Sequence, residues 1–239
     1  MVTNRIGERR ARYVAAPDET IERFLRGAIA VAIAVAVAQT AVHLANFAFI
    51  ESSALDANDE NNVFSWASSV ATFSAAFAAF LRAAVVTGGR AKFLALGGIL
   101  AFFSLDDAVV VHERIAANVL DAVGGSQDLD SVVWPALYLP LLAYVVILLV
   151  GVARRSDGRT RRLLYAGLAA LASAVVLEAA FAAWSTSETV GGSVHAVVGG
   201  AEEVAEVGGW ILIAAALTTV ALRDWITQSP RPGPSSDSA

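Results

Sequence analysis

Six apolar stretches, each long enough to cross a lipid bilayer, decide what this chain can fold into. They run approximately over residues 26–50, 63–86, 92–115, 134–153, 163–184 and 201–222. About 20 residues at a helical rise of 1.5 Å cover the roughly 30 Å of hydrocarbon. Backbone groups in lipid must satisfy their own hydrogen bonds, which leaves helices as the economical solution for such segments. The expected fold is therefore all-α, an integral membrane six-helix transmembrane bundle. Charged residues make up only 16% of the chain, against about 25% in a soluble domain. The third and sixth stretches are the least apolar, because they carry most of the acids.

Charge asymmetry orients the bundle. With a cytoplasmic N-terminus, every one of the 17 basic residues except Arg114 falls in an inside segment. The outside loops hold Glu51, Asp56, Asp59, Glu60, Asp121, Asp128, Asp130 and Glu188. The positive-inside rule then predicts two cytoplasmic termini and an even number of spans. Residues 1–25 read as a basic cytoplasmic segment without a signal-type apolar core. Residues 26–223 read as the six-span domain, and residues 224–239 as a disordered cytoplasmic tail rich in Ser and Pro. The chain has no cysteine, which excludes disulfides, thiolate metal sites and thiol catalysis. No basic, aromatic-interleaved surface points to nucleic acid. The expected partner is the lipid bilayer.

Seven acids nevertheless lie inside these stretches: Asp106, Asp107, Glu113, Glu178, Glu202, Glu203 and Glu206. An ionisable side chain in hydrocarbon costs at least a few kcal/mol and marks a functional site by default. Counted from the basic residue at each cytoplasmic end, His43, Asp106, Asp107, Glu178 and Glu206 all come out about 21–25 Å up. Glu113 and Glu202 come out at about 31 Å. Four helices thus carry polar groups at one height, in the outer half. Helical periodicity puts Gln39, His43 and Asn46 on one stripe, Asp106 and Glu113 on another, and Glu202 with Glu206 on a third. Turned inward, these stripes would line one hollow open to the extracytoplasmic side. Clustered anions need neutralising, by protons or by a bound cation.

Three motifs resemble a widespread group of uncharacterised prokaryotic multi-span membrane proteins. They are Asp-Glu-Asn-Asn-Val-Phe-Ser-Trp-Ala-Ser-Ser at 59–69, Ser-Leu-Asp-Asp-Ala-Val-Val-Val-His-Glu at 104–113, and Glu-Glu-Val-Ala-Glu-Val-Gly-Gly at 202–209. The resemblance implies Glu60, Asn62, Trp66, Ser68, Ser69, Asp106, Asp107, His112, Glu113, Glu202, Glu203 and Glu206 as the shared pattern. It names no activity. Asp107 stands where the group usually has Glu, and Phe-Ser replaces Pro-Thr before the Trp. The zinc membrane hydrolases of the alkaline ceramidase and adiponectin-receptor group offer only an analogy. They have seven spans and a His-x-x-x-His pair that this chain lacks.

Three function classes are consistent with such a site. The leading expectation is a divalent cation held by Asp106, Asp107, Glu113, Glu202, Glu203 and Glu206 with His43 or His112. Carboxylate plus imidazole suits zinc, iron or manganese, and carboxylate alone suits calcium or magnesium. Glu178, alone on its helix, would then be a general base on metal-bound water, in a hydrolase or lipid-modifying enzyme acting on a lipid or a small extracytoplasmic substrate. The second class is a proton- or cation-coupled transporter. The third is a non-catalytic sensor or assembly subunit. No Glu-x-x-His or His-Glu-x-x-His occurs, so the di-iron and zincin signatures are absent. Asp56-x-Asn58-x-Glu60 has the spacing of an oxygen-ligand calcium loop without its remainder, and reads as a solvated turn. Trp66, Trp134 and Trp184 read as interfacial anchors, and His195 extends the Glu202–Glu206 stripe only if that helix starts early.

Overall fold

The computed structural model describes residues 17–57, 62–86, 88–125, 130–185 and 192–228, and among them the only regular structure is helical. The helices are α1 (Pro17–Ala45), α2 (Val63–Val85), α3 (Arg90–Val109), α4 (Val111–Val123), α5 (Asp130–Arg155), α6 (Gly158–Ser185) and α7 (Gly192–Gln228). Five are long and apolar enough to cross a membrane: α1 with its end turn, α2, α5, α6 and α7. The pair α3 and α4 makes a sixth candidate, bent by 74°.

Several ends differ from the sequence expectation for local reasons. α1 begins at Pro17, nine residues before 26. Proline is well placed there, since a first-turn N–H has no intrahelical partner. α1 thus takes in residues 17–25 of the expected cytoplasmic segment. α1 closes in a π-helical turn, Asn46–Ile50, where the Asn46 carboxamide accepts the Ser52 N–H at 2.8 Å. Pro135 and Pro140 lie inside α5 without interrupting it. α7 starts at Gly192 rather than near 201. Residues 224–228, expected as the start of a disordered tail, are the last turn of α7 instead. The termini 1–16 and 229–239, Asn58 to Asn61, Glu188 and the His195 side chain lie outside the described residues, so the rest of the tail, the Asp56 loop spacing and the His195 stripe do too.

The core is built from α2, α3, α5, α6 and α7. Ala75, Ala76, Ala79, Leu96, Leu100, Leu149, Leu164, Ile213 and Leu217 are buried together, while Phe73, Phe77, Ile33 and Ile147 stay more than half exposed. A large apolar outer surface beside an apolar interior is what a lipid-facing bundle allows, because lipid gives no hydrophobic penalty for the outer surface. Glycines allow the closest approaches. A Cβ on Gly209 would lie 2.9 Å from the Gly167 carbonyl oxygen, and one on Gly167 would lie 2.8 Å from that of Gly209. α6 and α7 therefore touch backbone to backbone.

One end of the bundle gathers the basic residues. Arg82 at the end of α2 pairs with Asp224 of α7 at 2.8 Å, and Arg159 of α6 pairs with Glu22 of α1 at 2.6 Å. Arg223 of α7 pairs with Asp157 before α6. Four of the helices are tied at this end, and the intramembrane acids lie toward the other.

Candidate functional site

The site starts at the beginning of α2. Asn62 caps the helix, its side-chain oxygen accepting the N–H groups of Phe64 at 2.6 Å and Ser65 at 3.0 Å. Two free helix donors are thereby satisfied, which is what an Asn N-cap does. Fixing that end sets the direction of the next two turns. Ser68 and Ser69, both buried, project toward two different helices. The Ser69 hydroxyl donates to the Asp107 carboxylate of α3 at 2.9 Å. The Ser68 hydroxyl donates to Glu206 of α7 at 2.8 Å. Adjacent serines on one helix thus join carboxylates from two others, and Glu206 lies within electrostatic reach of Asp107.

The second part is the break between α3 and α4. Val110 adopts φ 56°, ψ 45°, a left-handed conformation that is a genuine outlier for a β-branched residue. The chain then starts a new helix that has no side-chain cap at Val110. Asp106 supplies the missing partner from the preceding turn. It accepts the His112 N–H at 2.8 Å, and its other oxygen lies 3.1 Å from His112 Nδ1. A carboxylate at a helix N-terminus is also favoured by the helix dipole. Tyr138 of α5 donates its hydroxyl to Asp106 at 3.2 Å.

The break overturns two expectations. A continuous helix over 92–115 would put Asp106 and Glu113 on one face and His112 well round from Asp106. Instead the turn at Val110 folds His112 back onto Asp106, and Glu113 sits half-buried in the first turn of α4.

Glu178 of α6 completes the arrangement. It accepts the Trp134 indole N–H at 2.8 Å, and Trp134 packs edge-on against His112 with ring centroids 4.9 Å apart. His112, Glu206 and Glu113 all lie within electrostatic reach of Glu178. Asp106, Asp107, Glu178 and Glu206 therefore converge from α3, α6 and α7. Each accepts a hydrogen bond from a neutral side chain on a neighbouring helix. Glu202 and Glu203 are half-buried beside Glu206 on α7.

His43 has a different role from the expected ligand. Its Nδ1 accepts the Ala57 N–H at 3.1 Å, and its Nε2 lies 2.7 Å from the Ala196 carbonyl, as donor. Both ring nitrogens are spent on backbone, in the neutral tautomer. A Cβ on Gly200 would fall 2.9 Å from the His43 ring, so glycine is what lets α7 approach α1 here. His43 is a bolt between α1, α7 and the following loop.

A model for a domain of unknown function, DUF8692, matches residues 28–220. The chain belongs to the DUF8692 family. The match runs from the first span through the last and includes every site residue above. No curated protein and no solved structure matches this chain. The expectation of an uncharacterised family is met by this assignment.

The described part of this DUF8692 member lends the expected cation centre no support. Among the described residues no group of three or more His, Asp or Glu side chains is placed to hold one metal ion. The acids are distributed as hydrogen-bonded pairs with hydroxyl and indole donors. The resemblance names Ser68 and Ser69, but sequence reasoning missed Tyr138 and Trp134 as donors. Tyr138 carried no signal of its own, and Trp134 read as an anchor. Their i, i+4 spacing on α5 is the clue that places both on the face meeting Asp106 and Glu178.

Proposed function

We propose that this DUF8692 protein is a six-span membrane protein with cytoplasmic termini that binds protons at an outer-half carboxylate–imidazole site and works as a proton-coupled transporter. The observation that carries this is the pair Asp107 and Glu206, drawn from two helices onto adjacent serines of a third. Two half-buried anions held on adjacent neutral hydroxyls repel each other, and a proton on either relieves the pair. Among the described residues His112 supplies the imidazole of the cluster, engaged by Asp106.

The break where the third span ends supports the same class. Helix ends bring backbone dipoles and polar side chains to the ion sites of many transporters. Here the discontinuity adjoins Asp106, Asp107 and His112. Below them the interior is closed by Ala75, Ala76, Leu96, Leu100 and Leu217. Transport then requires α2, α3 and α7 to part on the cytoplasmic side. A metal-dependent hydrolase with Glu178 as base is favoured less, because it needs three converging ligands that the described residues do not offer.

Infrared difference spectra of the reconstituted protein between acidic and neutral buffer test the proposal. Carboxyl bands should titrate in the native protein, disappear selectively in Asp107→Asn and Glu206→Gln, and ignore chelator. Spectra unchanged in both variants would remove the proton site. Stoichiometric bound metal, with bands that move on chelation, would restore the cation reading instead.

A further inference from the structure

We infer that α4 is an interfacial helix that lies on the outer leaflet, with one flank in lipid and the other in water. α3 has 20 residues, a length of about 30 Å, so the chain has already crossed the hydrocarbon when it reaches Val110. The 74° bend there turns α4 away from the span direction at that level.

The surface of α4 divides lengthwise into three sectors at 100° per residue. Ala116 and Leu120 are buried, at 0% and 4% exposure, and hold the helix to α5. Ile115, Val119 and Val123 follow i, i+4, i+8 and are exposed at 40%, 38% and 73%. Arg114 and Asn118 are exposed on the opposite flank. A helix with protein on one side, an apolar flank on the second and a polar flank on the third fits the boundary between acyl chains and headgroups. Its height favours lipid over a second copy of the chain, since the apolar flank meets the bilayer where the hydrocarbon ends. The same helix carries His112 in its first turn, so the Asp106 contact is fastened to an element that rests on the membrane surface.

The chain has no cysteine, so single-cysteine labelling needs no prior substitution. Nitroxides at Arg114→Cys, Ile115→Cys, Asn118→Cys and Val119→Cys, in liposomes, are to be compared by power saturation with oxygen and with a water-soluble nickel chelate. Positions 115 and 119 should favour oxygen, and 114 and 118 should favour nickel. Nickel access at 115 and 119 equal to that at 118 would overturn the assignment. So would shielding of 115 and 119 from both reagents, and spin–spin broadening there would identify a second copy as the occupant.

Discussion

At the scale of single residues, the site depends on neutral donors more than on opposite charges. The Ser69 hydroxyl is the donor that Asp107 receives from α2. Ser69→Ala would leave a half-buried carboxylate short of a partner, a loss of about 1 kcal/mol. Thermal unfolding in detergent should show that loss, and Ser74→Ala, whose hydroxyl bonds only within its own helix on the exposed side, should show much less. Val110 sets two terms against each other. Glycine would relieve a left-handed conformation that costs a non-glycine residue about 1–2 kcal/mol, at about 0.5–1 kcal/mol in backbone entropy. The Val110 side chain is buried, at 5% exposure, and its loss costs about 1.5–3 kcal/mol. Val110→Gly should therefore lower the thermal midpoint, and a midpoint above that of the native protein would show that backbone relief outweighs the packing of the valine side chain. The acids were legible because charge in an apolar run is conspicuous. Of the donors, Ser68 and Ser69 were marked only by the resemblance, and Trp134 and Tyr138 were not marked as donors at all, since Trp and Tyr have ordinary reasons to sit in a membrane helix. His43 misleads for a related reason. Periodicity gives its face, and not the backbone groups of Ala57 and Ala196 that occupy its ring nitrogens.

At the scale of elements, helix ends decide more than helix middles. Asp157 shows this outside the membrane. It precedes α6 and accepts the N–H groups of Arg159 at 3.0 Å and Thr160 at 3.3 Å and the Thr160 hydroxyl at 2.6 Å. Partial burial alone would push its pKa up, but the bonds from Thr160 and Arg159 and the charge of Arg223 outweigh that and hold it below the usual carboxylate value. A carboxyl depressed in the folded state contributes stability at pH above its unfolded pKa of about 3.9 and loses it as pH falls through the folded value. Asp157→Ala should thus cost about 0.5–2 kcal/mol near neutral pH. The gap from the native protein should close below about pH 3.9. A gap independent of pH would mean that packing, not charge, holds this corner. The elements themselves were largely visible in the hydropathy pattern. The α3–α4 break was not, because Ala-Val-Val-Val contains no glycine or proline to announce it. Tertiary contacts to Asp106 and α5 overrode local preference there.

At the scale of the whole molecule, the distribution of charge and the distribution of polar contacts agree on one axis. The ion pairs Arg82–Asp224, Arg159–Glu22 and Arg223–Asp157 tie four helices at one end, and the Asp106, Asp107, Glu178 and Glu206 contacts tie α2, α3, α5, α6 and α7 toward the other. Between them lies an apolar core rich in alanine. The proposed orientation puts the charged end of such a bundle in the cytoplasm. In that orientation α3 crosses outward, α5 crosses back, and α4 stays outside between them. Two exposed positions report on this directly. Gly88 lies in the α2–α3 turn, where an added Cβ would meet open space, and Asn118 is exposed on α4. In intact cells a membrane-impermeant maleimide should label Asn118→Cys and leave Gly88→Cys untouched until the membrane is permeabilised. The reverse pattern would invert the protein and put the carboxylates in the inner half. Labelling of both sites from outside would mean that α3 does not cross, leaving five spans and termini on opposite faces.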